Sequence, residues 1–355
     1  MAERVPDLPR GVAILGAGAT GSLIAARLLR GRVPVTLVDS PEVVQTIREH
    51  GLVYERARRP RTVLRDLDAI SGWEELDRTE VANIGLVIST FKAGETARAI
   101  TGLDGHVPPE VPLLLLQEGV GGFEAARDHA GGRPLLAGVT TLAAAQHRPG
   151  VVRGVGRAGG MAVASITTPE PVVGWVAGLL EGGLRTRVYR DYLPMAWSRL
   201  LLGLPGNAVP AIVDRPPRQV LADPALCRLE VAALREALAV MRALAIAPVG
   251  LPGFPVPAMA WSVDRLPLGV LRRLLPRLII GTACEQSPLR SELEAGEREC
   301  GVEYLNGAVV RAGLALGVAA PANALIYRTL TAMAQGTIPR DAYARNPHGL
   351  LAPTR

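Results

Sequence analysis

The stretch ILGAGATG, from Ile14 to Gly21, constrains this chain more than any other. An apolar run, Val12 to Leu15, leads into it. TGSLIAARLLRG follows, with apolar residues at helical spacing and Gly31 past its end. The pattern is strand, glycine turn, helix. Gly16 permits the tight turn, Gly18 lets the backbone approach a pyrophosphate, and Gly21 allows close packing of helix on strand. Ala17, Ala19 and Thr20 complete the turn, and the helix N-terminus faces the anion. A second run, VTLV from Val35 to Val38, ends at Asp39. A carboxylate there accepts both hydroxyls of an adenosine ribose and repels a 2′-phosphate. NAD(H) is therefore favoured over NADP(H).

The next hundred residues repeat the alternation. GLVIST (Gly85 to Thr90), VPLLLLQ (Val111 to Gln117) and PLLAGVT (Pro134 to Thr140) suit strands buried on both faces. Helical stretches such as AGETARAI separate them, and GVVRGVG and GMAVAS read as late strands closing the domain. From about Thr186 to Pro194 the composition changes to helix. DPALCRLEVAALREALAVMRAL opens with Asp223 as cap and Pro224 at the first helical position. GVEYLNGAVVRAGLALG reads as one helix stopping at Gly317. The expected fold class is an α/β N-terminal Rossmann domain (a doubly wound parallel sheet) followed by an all-α C-terminal domain. The expected boundaries are 1–188 for the dinucleotide-binding domain, 189–335 for a helical substrate and dimerisation domain, and 336–355 for a loosely held tail.

Composition removes several function classes. The net charge of +6 raises nucleic acid as a partner. However, the arginines are scattered, and aromatics at 4% leave few stacking platforms. The densest cluster, YERARRPRTVLR from Tyr54 to Arg65, reads as a solvated basic loop. No apolar run reaches the roughly 18–20 residues that a bilayer needs, and the N-terminus carries no signal-peptide pattern. Cys227, Cys284 and Cys300 form no CxxC pair, which suits a reducing cytoplasm. The five histidines show no HxH or HExxH spacing, so no metal site is expected. The implied partner is a small-molecule substrate, without nucleic acid or membrane. The Leu-rich helical stretches suit core packing or a homodimer.

One residue stands apart. Of 39 basic side chains, 38 are arginine and one is lysine, Lys92 in ISTFKAGET. Lysine is a compact point charge on a slim stem, whereas guanidinium is planar and broad. A lone lysine in so arginine-rich a chain marks a site that requires an ammonium.

From GAGATG onward the chain resembles the ketopantoate reductase family. The resemblance rests on the order and spacing of FKAGET, LLQEGVGGFEAA, GVTTLAAAQHRPGVVRGVGR, MAWSRLLLGLPGNAV and SPLRSELEAGERECGVEYLNGAVVRAGLALGVAAPAN. It implies a Rossmann domain joined to a helical domain, and hydride transfer from a nicotinamide to a 2-oxo acid. It also places Lys92 and Gln117 near the cofactor. The family usually employs NADPH, so Asp39 departs from its pattern.

The helical half departs further. Arg199 stands at the family's catalytic lysine, and a guanidinium, with a pKa above about 12, stabilises negative charge but hardly donates a proton. Arg199, Gly203 and Asn207 fall at i, i+4 and i+8 of an expected helical face. The family has asparagines at the last two places. Pro205 should kink that helix. Glu118 replaces an asparagine in QEG, where it would repel a 2-oxo acid or serve as a proton-transfer group. Pro288 falls on the substrate-binding serine, with Ser287 one residue early, and Gly301 falls on the substrate-binding glutamate. The expected catalytic set is Arg199, Glu118, Asn207 and Lys92, with Ser287, Arg199 and Asn207 binding substrate. The expected activity is reduction of a carbonyl or imine other than ketopantoate. The alternatives are a scaffold repurposed as a non-redox cyclase or dehydratase, and a non-catalytic dinucleotide-binding protein.

Overall fold

Strands fill the first half of the computed structural model, which describes residues 9–56, 59–155, 159–279 and 287–351. They are β1 (Gly11–Leu15), β2 (Val35–Val38), β3 (Leu52–Arg56), β4 (Arg59–Leu64), β5 (Asp68–Ile70) and β6 (Ile84–Ser89). β7 (Leu113–Leu116), β8 (Leu135–Thr140), β9 (Ala143–Arg148), β10 (Val151–Val155), β11 (Met161–Ser165) and β12 (Thr186–Tyr189) follow. Eight of them form one sheet in the order β12-β11-β8-β7-β6-β1-β2-β5. Its neighbours are parallel except β8 and β11, which run antiparallel. Val12, Ile14, Leu37, Leu86, Ile88 and Leu114 are buried in this sheet. Each contributes roughly 1.5–3 kcal/mol when fully removed from water. The strand order reverses between β1 and β6, the position where open α/β sheets place ligands beyond the strands' carboxyl ends.

The second sheet corrects two expectations. The described residues of YERARRPRTVLR are mostly strand: Tyr54–Arg56 belong to β3 and Arg59–Leu64 form β4, and the two strands pair antiparallel with Val53 opposite Val63. GVVRGVG does not close the main sheet. It forms β10, which pairs with β3 and β9 in a four-stranded sheet ordered β4-β3-β10-β9. The helix Ala19–Arg30 lies between the two sheets, so Leu23, Ile24, Ala25, Ala26 and Leu28 are all buried. Small alanines let a helix be covered on more than one side.

The chain divides into two units, one running to Gln117 and from Gly122 to Tyr192, the other comprising Glu118–Gly121 and everything from Leu193. The second unit is helical among its described residues, apart from an isolated bridge between Leu251 and Phe254. Its axis is the helix Pro224–Ala243, against which Asn306–Leu316 and Pro321–Ala334 pack. Asp223 caps that axis, accepting from the Ala225 and Leu226 N–H groups at 2.9 and 3.0 Å. The Glu236 carboxylate from the axis caps Pro321–Ala334, accepting from the Ala322 and Asn323 N–H groups at 2.8 and 2.9 Å.

GVEYLNGAVVRAGLALG is not one helix. A 3₁₀ turn, Gly301–Tyr304, ends at Leu305 (φ −106°, ψ −95°), and the α-helix begins at Asn306. The break frees the carbonyls of Glu303 and Tyr304, which accept from Arg311 Nη2 and Val120 N at 2.9 Å each. Pro347 and Leu350 are buried, and His348 Nε2 lies 2.8 Å from Asp223 Oδ2. Cys227 and Cys300 are buried, while Cys284 lies outside the described residues. Among the described residues no helix is long and apolar enough to cross a membrane.

Candidate functional site

In the first unit the candidate groups gather at one edge of the main sheet. Leu15 pairs with Val38 of β2 and Ser89 of β6, and Ser89 pairs with Leu115 of β7. Gly16, Asp39, Thr90, Lys92 and Gln117 therefore all follow the carboxyl ends of adjacent parallel strands. The turn itself is left-handed at Gly16 (φ +97°), where a Cβ would sit 2.6 Å from Thr90 Oγ1. At Gly21 a Cβ would lie 1.9 Å from the Gly16 carbonyl oxygen. At Gly18 it would meet nothing within 4 Å. Two of the glycines are thus required by the protein's own packing, and the third borders open space. The helix begins at Ala19, and its first intrahelical bond runs from Ser22 N to Gly18 O. The N–H groups of Ala19, Thr20 and Gly21 therefore have no acceptor within the helix.

Asp39 is turned onto this bend. Its Oδ2 accepts from Ala17 N at 2.5 Å and its Oδ1 from Ser40 N at 2.7 Å. Three further residues brace the turn and were not singled out by sequence. Thr90 Oγ1 donates to Leu15 O and Gly16 O at 2.9 and 3.1 Å. Ser22 Oγ and Gln146 Nε2 both donate to Ala17 O, at 2.7 and 3.0 Å. Only the position of Thr90, directly after a buried strand, is a signal for any of them. Lys92 is exposed and precedes the 3₁₀ turn Ala93–Glu95, its N–H donating to Glu95 Oε2 at 3.3 Å. Gln117 is buried. Its Nε2 donates to Thr96 Oγ1, and its Oε1 is buried without a hydrogen-bond partner among the described residues.

In the second unit Arg199 forms an ion pair with Glu118, through Nη2 and Oε1. The Arg199 side chain is 15% exposed and that of Glu118 is 50% exposed. A Cβ on Gly203 would fall 3.2 Å from Arg199 Nη1. The guanidinium thus lies over Gly203, in room that a larger side chain would take. Gly119 (φ +88°) and Gly121 (φ +110°) hold the Glu118–Gly121 loop. A Cβ on Gly119 would lie 1.9 Å from the Tyr304 carbonyl oxygen.

The expected helical face over Arg199, Gly203 and Asn207 does not form. The helix Tyr192–Gly203 stops there, Pro205 and Gly206 (φ +71°) follow, and Asn207 starts the next helix, Ala208–Val213. Asn207 is buried and joins Ser287 instead. Its Nδ2 donates to Gly203 O at 3.1 Å. Its Oδ1 accepts from Ser287 Oγ and Leu289 N at 3.0 and 3.2 Å. Ser287 caps the helix Pro288–Ala295, accepting from Arg290 N at 3.1 Å. The same break meets Glu230, a buried acid that the sequence reading passed over. Its Oε2 accepts from Gly206 N at 3.2 Å and its Oε1 has no hydrogen-bond partner among the described residues. Burial pushes its carboxyl up to about 8. The signal was present: Glu230 sits four residues from both Leu226 and Leu234, on the apolar stripe of its helix.

Glu303 pairs with Arg311 and accepts from the Tyr327 hydroxyl, which pushes the Tyr327 phenol up. Among the described residues no group of three or more His, Cys, Asp or Glu side chains could hold a metal.

Two family models match this chain: "Ketopantoate reductase PanE/ApbA" over residues 12–167 and "Ketopantoate reductase PanE/ApbA C terminal" over residues 191–334. The 2-dehydropantoate 2-reductase of Halobacterium salinarum is 28% identical over 323 residues, 90% of this chain and 96% of that protein. That of Pyrobaculum aerophilum is 27% identical over 320 residues, 90% and 96% of the two chains. Among solved structures, a PanE/ApbA family ketopantoate reductase from Ralstonia eutropha JMP134 superposes with a TM-score of 0.74. It is 23% identical and covers 92% of this chain and 99% of its own. The ternary structure of D-mandelate dehydrogenase with NADH and anilino(oxo)acetate gives a TM-score of 0.75 at 20% identity, with coverage of 92% and 99%. At these identities the two structures establish the fold.

Proposed function

The chain belongs to the ketopantoate reductase family, and from that premise we propose that it is an NAD(H)-dependent oxidoreductase acting on a carbonyl or imine other than ketopantoate. One observation carries the reading: at the sheet's switch point the turn leaves open space above Gly18 alone, while Gly16 and Gly21 are closed by their own neighbours. That cradle fits a pyrophosphate, with the unpaired N–H groups of Ala19, Thr20 and Gly21 as its donors. Asp39, held at the end of β2, takes the adenosine ribose and disfavours a 2′-phosphate. The NADH in the D-mandelate dehydrogenase structure is a precedent for this cofactor on this fold.

When bound, the cofactor supplies a hydride. This chain's own groups do the rest. Lys92, at the end of β6, and Gln117, at the end of β7, order the cofactor side. Arg199 presents fixed positive charge to the oxygen of the carbonyl being reduced, the largest lever such a site has. Glu118, ionised while paired with Arg199, is the proton-transfer group only as a relay that takes its proton from solvent, a role for which guanidinium is too weak an acid. Asn207 and Ser287 position this region by tying three helix ends together, rather than by touching substrate. Ketopantoate itself is disfavoured, because Gly203, Pro288 and Gly301 lack the polar side chains found at those places in its reductases.

The test is turnover. Purified protein with NADH should reduce at least one member of a panel of aldehydes, ketones, 2-oxo acids and imines. Asp39→Ala should raise the NADPH-to-NADH ratio of kcat/KM at least tenfold. Tight NADH binding with no oxidation across the panel would favour the non-redox or purely binding alternatives. An unchanged cofactor ratio in the variant would refute the assignment of Asp39.

A further inference from the structure

We propose that the Glu118–Arg199 ion pair is a substrate filter, which admits carbonyl compounds uncharged beside the reacting carbon and turns away 2-oxo acids. The inference rests on the reading that Arg199 faces the reacting carbonyl, and it names the class of substrate. A guanidinium at such a place would ordinarily be a carboxylate receptor, offering two parallel N–H donors. Here it is already engaged. Its Nη2 is bonded to Glu118, and its Nη1 is folded over Gly203. With only 15% of the side chain exposed, Arg199 has little freedom to present another face. Glu118 is half exposed, so its negative charge is what an arriving anion meets. The next guanidinium along the loop repeats the arrangement. Arg311 lies within 3.9 Å of where a Gly121 Cβ would be, and it is paired with Glu303. Both arginines flanking Glu118–Gly121 thus carry an internal carboxylate. An incoming carboxylate must displace Glu118 or stand beside it, and like charges in contact are a standard means of rejecting a ligand. A neutral amide or ketone meets no such repulsion, and the N–H groups of an amide find an acceptor in Glu118.

The experiment compares an anion with its neutral twin. Oxamate and oxamide are titrated calorimetrically into the NADH-loaded protein. In parallel, kcat/KM is measured for a 2-oxo acid and its primary amide. Wild type should prefer the neutral member of each pair. In Glu118→Gln the acid-to-amide ratio should rise about 10- to 100-fold, the range expected from removing one screened like charge. The rise should disappear in Glu118→Gln/Arg199→Gln, because the benefit runs through the guanidinium. Glu118→Asp, which keeps the charge, should hold the acid-to-amide ratio of oxamate and oxamide binding within about threefold of wild type, a margin below ~1 kcal/mol, whatever its turnover. A wild type that prefers oxamate overturns the proposal, as does a ratio unmoved by Glu118→Gln or a variant that binds no oxamate. Should no substrate be reduced while the oxamate ratio shifts as stated, the oxidoreductase reading fails and the filter stands.

Discussion

The two candidate regions are built on opposite plans. At the glycine turn the backbone does the work: glycines, N–H groups without an acceptor in the helix, and one acid at the ends of parallel strands. Around Arg199 side chains do it, and nearly every polar group is already answered by another from the same chain. Glu118 answers Arg199, Glu303 answers Arg311, and Asn207 answers Ser287. A backbone cradle tolerates change in what surrounds it, whereas a side-chain network must change in concert. Arg199 and Gly203 show that concert, since the guanidinium occupies space that any residue larger than glycine would contest. Under the proposed function, the first region keeps a general capacity and the second is rebuilt for a particular substrate.

Separate damage to the two regions sharpens that contrast. The largest effect should come from Arg199→Ala. It should lower kcat about 10²- to 10³-fold, as loss of a preorganised charge does, with NADH affinity unchanged in a calorimetric titration. A matching loss of NADH affinity would break the division of labour. Next is Gly18→Val, where open space and an extended backbone (φ −67°, ψ −170°) accept a side chain. Its melting temperature should stay near wild type while NADH affinity falls about 100-fold, or ~3 kcal/mol. Gly21→Ala should do the reverse to stability, costing about 1–3 kcal/mol in chemical denaturation, because its Cβ meets a backbone oxygen.

Asn207→Ala should cost about 1–3 kcal/mol, by leaving the buried Leu289 N–H without its acceptor, while the Ser287 hydroxyl keeps the Asn207 main-chain carbonyl. If Asn207 touches substrate instead, KM will move more than stability. The smallest effect concerns Glu230. Its folded carboxyl is raised to about 8, above its unfolded value, so both states are protonated at pH 4. Stability is therefore lost as pH rises from the unfolded value toward 8. Glu230→Gln should flatten that slope and gain about 1 kcal/mol or more at pH 8 relative to pH 5. An equal slope in the variant would place the titration elsewhere.

Legibility in the sequence followed the same division. Val12–Leu15 and the apolar runs of β6, β7 and β8 are buried on both faces, so they read as unbroken hydrophobic stretches. The cap at Asp223 and the stop at Gly317 (φ +67°) were equally plain. The second sheet was hidden, because β4 lies on an edge and carries exposed Arg59, Pro60 and Arg61. Pro205 signalled an interruption of its helix, though not that the helix would end outright. The break at Leu305 was harder still. Helical periodicity continues through it, and a remote contact marks it: the Tyr304 carbonyl receives Val120. Residue identities pointed to Arg199 and Glu118 one at a time. That they meet, and that Gly203 makes room for the meeting, required coordinates.

The central claim is that the glycine bend holds a nicotinamide dinucleotide through its pyrophosphate, and that Asp39 selects the form without a 2′-phosphate. Equilibrium titration of the purified protein with NADH and with NADPH tests it most directly. The account predicts saturable one-to-one binding of NADH, at least tenfold tighter than NADPH. Saturable binding of neither coenzyme, by a protein that melts cooperatively, would contradict it.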